Sequence, residues 1–351
     1  EPTDFPPFGS MAIIQALRNI GEKASFYHID YHRYNHSQIS EYFASQQFDM
    51  VGISSVVSTA YSYTKYLAQL IKNVSPKTIV FVGGSLTASA EILHRKANVD
   101  YCVIGDGEII VQNLVKAIKE KKTSYDDLNK ILGITYLDSK NKFTFTGYDH
   151  PLPASMIERP DYSILEDDNS INHYIFSDPS GYSWSQDENY NEKEKGRKQA
   201  TVVVAKGCVA RCTFCHRNEK GYRVSPLDSI INHMKMLKEK YNVKYLTIGD
   251  ENFGSYKNET IKLIKEMKSL GFIWTAAGVR AHTVNLEVLK LWHENGCVFI
   301  GFGTETGSPT MLKVMEKKVS LEQNIQALKD SYDAGIANNI QLVVGMPGET
   351  D

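Results

Sequence analysis

The chain has no run of about 18 apolar residues, so no helix long enough to span a bilayer is expected. Its beginning lacks the basic-then-apolar layout of a secretory signal, and the expected compartment is the cytoplasm. Cysteine is scarce, five in 351 residues, and three of the five fall within eight positions. That spacing makes a poor disulfide framework, and in a reducing compartment such a cluster more often holds metal. Charge of either sign is not in excess: the net formal charge is −2, which removes any general electrostatic reason to bind nucleic acid. No G-x-G-x-x-G follows any expected strand, which disfavours a dinucleotide site. The chain also lacks an initial Met, opening on Glu1, and it stops in a glycine-rich turn at 345–351, so it is expected to be a fragment of a longer protein.

With 42% apolar and 23% charged residues over this length, there is room for two domains, each with its own core. The second is organised around residues 201–215, an apolar strand that runs directly into Cys208, Cys212 and Cys215. Thiols at C-x-x-x-C-x-x-C spacing can converge on one face of an iron or zinc centre and leave it one ligand short. Zinc would need a fourth donor; His216, adjacent to Cys215, cannot easily fold back onto the same tetrahedral centre. Cys102 and Cys297 lie inside apolar strand-like runs and are expected to be buried core thiols.

Residues 1–130 alternate amphipathic helices with short apolar strands. Helices are expected at 11–19, 37–46, 60–72, 88–95 and 109–119, and strands at 24–30, 50–54, 78–82 and 101–104. The alternation predicts an α/β domain, a doubly wound, flavodoxin-like parallel sheet covered on both faces. Ligands of such sheets bind beyond the carboxyl ends of the strands. Here those ends carry Ser54 and Ser55, then Gly83, Gly84 and Ser85, then Gly105 and Glu108; the glycines allow close approach to the backbone and the serines can donate hydrogen bonds.

Residues 131–199 read as a hairpin, 131–137 against 142–146, followed by an irregular linker rich in Ser, Asp, Asn and Gly. Its aromatics, Tyr174, Phe176, Tyr182, Trp184 and Tyr190, either line a substrate cavity or pack against one of the domains. From 200 to 351 the alternation resumes with strands at 201–205, 244–248, 273–277, 297–302 and 339–344. Repeated βα units of this kind close into all or part of a TIM-type barrel, with functional residues at the carboxyl strand ends.

The first-domain segments Val51–Ser55, Val80–Ser85 and Val99–Glu108, with the turn at Pro7 and Gly9, resemble the cobalamin-binding domain of cobalamin-dependent radical SAM enzymes. In that family a first strand precedes the turn, and none precedes it here. In the second domain Cys208, Cys212 and Cys215 match the radical SAM C-x-x-x-C-x-x-C, with Phe214 as the aromatic that lies near the adenine. Residues 249–253 resemble the region that holds the SAM amino group, 303–308 the segment that contacts its ribose and methionine parts, and 345–349 a glycine-rich turn near the fifth strand. Departures are Ala205 and Lys206 in place of Ser-Arg, and Val209 in place of Pro.

The resemblance implies a 4Fe-4S cluster on the three cysteines and SAM held by Phe214, Gly249, Asp250, Glu251, Arg280, Thr304 and Glu305. It implies cobalamin over Ser54, Ser55, Gly83, Gly84, Ser85, Gly105 and Glu108. No Asp-x-His-x-x-Gly is present to supply a lower axial His, and His28, His32 and His36 are expected to be surface or packing residues. By the same resemblance an external donor such as flavodoxin or ferredoxin delivers an electron, the SAM sulfonium breaks to a 5′-deoxyadenosyl radical, and a small-molecule substrate is methylated at an unactivated carbon or phosphorus. Oxidation, cyclisation or ring contraction with the same cofactors is the alternative. A non-catalytic cobalamin sensor with a structural cluster is the third reading.

Overall fold

The computed structural model describes residues 5–177, 198–215 and 221–350. They fall into two compact units. One is formed chiefly by Pro7–Leu152 with Pro160–Ile171, the other by Pro153–Arg159 with Asn172–Asp351.

The first unit is built on a five-stranded sheet in the order β1 (Met50–Ser54), β2 (Ile79–Gly83), β3 (Tyr101–Val103), β4 (Ile134–Leu137) and β5 (Phe143–Phe145). The first three strands are parallel and the last two antiparallel. The hairpin therefore extends this sheet, closed by Asp138, whose Oδ1 accepts from the amides of Lys140 and Lys142 at 2.9 Å each. Helices cover both faces. On one, Leu67, Ala68 and Ile71 of the helix Tyr61–Val74 pack with Leu93, Ile39 and Phe43 over Val80 and Val82. On the other, Ile110, Val111 and Leu114 of Gly107–Lys119 pack with Ile134 and with Ile13 and Leu17 of the helix Phe8–Asn19. Burial of each apolar face, rather than intrinsic propensity, holds these helices in place.

The expected strand at 24–30 does not form. A strand needs a neighbour for its ladder of hydrogen bonds, and among the described residues β1 pairs only with β2. The segment is instead held by its side chains: Tyr27 stacks on Tyr42 at 3.9 Å and on Tyr34 at 4.8 Å, and Ile29–His32 turns into a single helical turn.

The second unit carries a six-stranded sheet, and its order confirms the βα reading. β7 (Lys198–Val202), β10 (Val243–Ile248), β11 (Ile273–Val279), β12 (Cys297–Glu305) and β13 (Ala337–Leu342) run parallel, each beside its predecessor, as in an arc of a barrel. β6 (Phe176–Ser177) adds antiparallel to β7, which turns the start of the linker into an edge strand. A separate two-stranded ribbon joins β8 (Ala205–Gly207) to β9 (Tyr222–Val224). Phe253, Trp274 and Trp292 form a buried triad with ring centroids 5.3–5.7 Å apart, and Gly254 is obligatory beside it, since a Cβ there would stand 2.8 Å from the Trp292 ring. Cys102 and Cys297 are fully buried, as expected. Of the linker aromatics, Tyr174 is buried and Phe176 half-buried; Tyr182, Trp184 and Tyr190 lie outside the described residues, as does His216. No helix of the described residues is long and apolar enough to cross a membrane.

Candidate functional site

The cysteine loop hangs from the β8–β9 ribbon. The strand expected to run to 205 ends at Val202, and the chain turns a corner at 203–205 before entering the ribbon. Four polar backbone groups at this corner are held by partners from other segments. The Val203 carbonyl accepts from Arg159 Nη1 at 2.7 Å, and the Val204 carbonyl from the Ser225 amide at 3.0 Å. Asp250 Oδ1 accepts from the amides of Val204 at 2.8 Å and Ala205 at 3.2 Å. Arg159 also bonds Ser225 Oγ, so one guanidinium ties the corner to the return strand. Arg159 and Ser225 carry no motif and were not anticipated.

Asp250 is buried, its Oδ2 has no hydrogen-bond partner among the described residues, and burial pushes its carboxyl up to about 7, against the two backbone bonds and the attraction of Arg159. It therefore braces the loop from below, a use not expected from its sequence neighbourhood. Because its folded value lies above the unfolded value of 3.8, the folded chain binds the proton more readily between these limits, and stability falls as pH rises from about 4 to about 7. The loss is of order 4 kcal/mol, taking about 1.4 kcal/mol per unit. Asp250→Asn keeps the acceptor for both amides and removes the buried charge. Urea unfolding at pH 5 and pH 8 should then differ less for the variant than for the wild type, with the variant the more stable at pH 8.

The far side of the loop is clamped by the turn that follows the helix Pro309–Val314. The Thr213 amide donates to the Met315 carbonyl at 2.9 Å, and its hydroxyl to that of Val314 at 3.0 Å. Within the loop the Ala210 amide donates to Cys208 Sγ at 3.4 Å, the kind of N–H···S contact that stabilises a thiolate. Cys212 is buried, Cys208 half-buried and Cys215 exposed, and none is in a disulfide. Among the described residues no three His, Cys, Asp or Glu side chains are drawn together at metal-binding distance. The donors themselves fit an iron–sulfur cluster with one open corner: three thiols outside any disulfide on one short loop, one already receiving an amide.

The strand ends expected to meet SAM surround this loop's supports. Gly249 has the Phe5 ring where a Cβ would stand, 2.4 Å from the nearest ring atom. Glu251 is exposed beside it. Thr304 is buried, and its hydroxyl donates to the Gln341 carbonyl at 3.0 Å. Arg280 is buried, donates through Nη2 to the Lys317 carbonyl at 3.1 Å, and its Nε has no partner among the described residues. Glu305 is buried in the left-handed region, φ +64°, and forms an ion pair with Lys317, itself buried. Lys317 Nζ lies 5.8 Å from the centroid of Phe214. Lys317 was missed at the sequence level because it follows a helix rather than a strand.

In the first unit the carboxyl ends of β1, β2 and β3 divide into brace and opening. Ser55 is 1% exposed, and its hydroxyl is committed to Thr64 Oγ1 at 2.6 Å. It also supports the next loop, accepting the Leu86 amide at 3.1 Å and donating to the Gly83 carbonyl at 2.9 Å. Gly84, φ +93°, packs so closely that a Cβ would come 2.5 Å from the Ser55 carbonyl oxygen. Gly83 and Gly105, by contrast, would place a Cβ in open space, with nothing within 4 Å. Ser54 is exposed, Ser85 opens a short 3-10 turn and Glu108 sits in the first turn of Gly107–Lys119. Bare backbone at two neighbouring strand ends fits the approach of a large flat ligand such as a corrin. The histidines are packing groups: His36 lies against Tyr66 at 4.5 Å, and His28 and His32 face the Asp168 carboxylate at 3.7 and 3.2 Å.

Comparison with known proteins agrees with both units. Residues 202–351 match the family model of the Radical SAM superfamily, and residues 2–115 that of the B12 binding domain. Curated relatives include the anaerobic magnesium-protoporphyrin IX monomethyl ester cyclase of Rubrivivax gelatinosus, 24% identical over 89% of this chain and 54% of that protein. An uncharacterized methyltransferase of Pyrococcus horikoshii is 27% identical over 86% of this chain and 61% of its own length. The chain thus spans a little over half the length of these relatives. The fold is shared with the cobalamin-dependent SAM radical enzyme OxsB, at a TM-score of 0.73 and 19% identity over 96% of this chain and 47% of that one. It is shared equally with the radical SAM methyltransferase TsrM from Kitasatospora setae, at a TM-score of 0.74 and 17% identity over 99% of this chain and 68% of that one.

Proposed function

We propose that this chain, whose two parts match the family models of the B12 binding domain and the Radical SAM superfamily, is a cobalamin-dependent radical SAM enzyme and acts as a methyltransferase on an unactivated carbon or phosphorus centre of a small molecule. The observation that carries the reading is the coexistence, in one chain, of a loop bearing three thiols and a strand-end cradle of bare glycine backbone. The methyltransferase names among its relatives support methyl transfer over other outcomes.

Cys208, Cys212 and Cys215 are assigned to the 4Fe-4S cluster, and Phe214, Gly249, Glu251, Arg280, Thr304 and Glu305 to SAM. Asp250 acts beneath them as the support of the loop. Ser54, Gly83, Gly105, Ser85 and Glu108 are assigned to the corrin, with Ser55 and Gly84 as its foundation. When bound, these groups supply a one-electron reductant for the SAM sulfonium and a carrier for the methyl group. The chain's own part is to leave one cluster position free, to offer the buried cation Arg280 to a carboxylate, and to present polar strand ends along the arc of parallel strands. An external donor such as flavodoxin or ferredoxin and a cytoplasmic setting complete the reading, with no role for nucleic acid.

The products test it. Anaerobic reconstitution of the full-length protein with iron, sulfide and cobalamin should give both S-adenosylhomocysteine and 5′-deoxyadenosine from SAM. The relationship to a cyclase keeps a second reading, in which the same cofactors drive oxidation, cyclisation or ring contraction; 5′-deoxyadenosine alone would select it. Absence of a corrin absorption band after reconstitution would remove cobalamin from both.

A further inference from the structure

We propose that Lys317 is a positioning residue for the cysteine loop, acting through the ring of Phe214. The inference rests on the reading of that loop as the cluster and SAM site.

Four observations converge on this side chain. Lys317 is 7% exposed, so its ammonium has left water and needs compensation. Glu305 supplies it on one side, held at φ +64°, a region that a non-glycine residue enters only when its surroundings enforce it. On the other side stands the Phe214 ring, 5.8 Å away, within the range at which a cation is attracted to an aromatic face. The backbone is fixed as well: the Lys317 carbonyl receives Arg280 Nη2 at 3.1 Å and its amide donates to the Leu312 carbonyl at 3.1 Å. Its neighbours Glu316 and Lys318 both have positive φ, 49° and 53°, so the turn is sharply specified.

Space for the pair is reserved by Gly303. A Cβ there would lie 2.8 Å from Glu305 Oε1 and 3.1 Å from Lys317 Nζ. The same turn grips the loop through Thr213, the residue before Phe214. Backbone bonds thus fix where the loop sits, and Lys317 fixes which way its aromatic faces. Phe214 directly precedes Cys215, the most exposed of the three thiols. Dispersion alone sets the tilt of the ring weakly, whereas a cation over it favours the orientation that keeps a face toward the ammonium.

The test uses the full-length protein reconstituted anaerobically, with iron content, SAM dissociation constant by equilibrium dialysis, and hydrogen exchange of the peptide 208–215 as readouts. Lys317→Gln keeps a donor for Glu305, which protects the fold, and removes the cation. We expect full iron, about tenfold weaker SAM binding and faster exchange of the loop, in line with a desolvated cation–π contact. Lys317→Arg, which retains the charge and can stack on the ring, should restore SAM binding to within about threefold of the wild type. In a Phe214→Leu background Lys317→Gln should cost nothing more, because the partner is already gone. The inference is overturned if Lys317→Gln binds SAM as the wild type does, or if its effect persists undiminished in the Phe214→Leu protein. A wild type that takes up no iron would overturn the cluster reading, and this inference with it.

Discussion

Cys212→Ala should abolish SAM cleavage outright while leaving the corrin band of the reconstituted protein in place. Cys212 is buried at the centre of the three-thiol set, between Cys208, whose sulfur already accepts the Ala210 amide, and Cys215, whose amide donates to the Cys212 carbonyl at 3.2 Å. With three protein ligands and no spare Cys or His gathered at the loop among the described residues, the cluster has nothing to fall back on. Loss should be complete rather than graded, since a site with two thiolates holds the metal weakly and cannot leave a single defined corner open. The change is a small one sterically, so folding should survive: the loop is anchored by Thr213 on the carbonyls of Val314 and Met315 and by the Asp250 and Arg159 contacts at its base. Measurement of 5′-deoxyadenosine release under dithionite checks this. Undiminished function in the variant would instead support a cobalamin-binding protein in which the cluster only braces the fold.

How much of this could be read from residue order depends on how local each feature is. The cysteine spacing and the glycines at strand ends are local, and periodicity locates the strands that carry them. The helix faces are local too: the apolar spacing of Ile110, Val111 and Leu114 allows only one buried side. Partnership is not local. The segment at 24–30 has the composition of a strand, yet a strand exists only if a neighbour completes its hydrogen bonds, and among the described residues none does. Arg159 reaches the Val203 carbonyl across 44 positions, and Thr213 is held by residues about a hundred positions away, so nothing near either one announces the contact. Ser55 and Asp250 show the subtler case. Both stand where a ligand contact was expected, and both are buried and committed to the loops beside them. Support of a site and contact with its ligand call for the same residue types at nearly the same places.

That distinction can be measured at two adjacent glycines. Gly84→Ala should destabilise the first unit by about 3 kcal/mol or more, because an L-residue at a positive φ is strained and its new methyl would also meet backbone. The φ is +93°, and the atom it would strike, the Ser55 carbonyl oxygen at 2.5 Å, cannot retreat: it accepts the Leu86 amide, and Ser55 is held by both Gly83 and Thr64. Gly83→Leu should behave in the opposite way. Its φ is not in the left-handed region and a Cβ there meets nothing within 4 Å, so the unit should unfold at the wild-type denaturant concentration. Yet the side chain would project into the open space at the carboxyl ends of β1 and β2, where the corrin is assigned. We expect Gly83→Leu to lose the corrin absorption band with its fold intact, and Gly84→Ala to lose both together. A Gly83→Leu protein that still bound cobalamin as tightly as the wild type would show that the bare backbone there serves the strand end alone, and the corrin would have to lie against Gly105 and Glu108 instead.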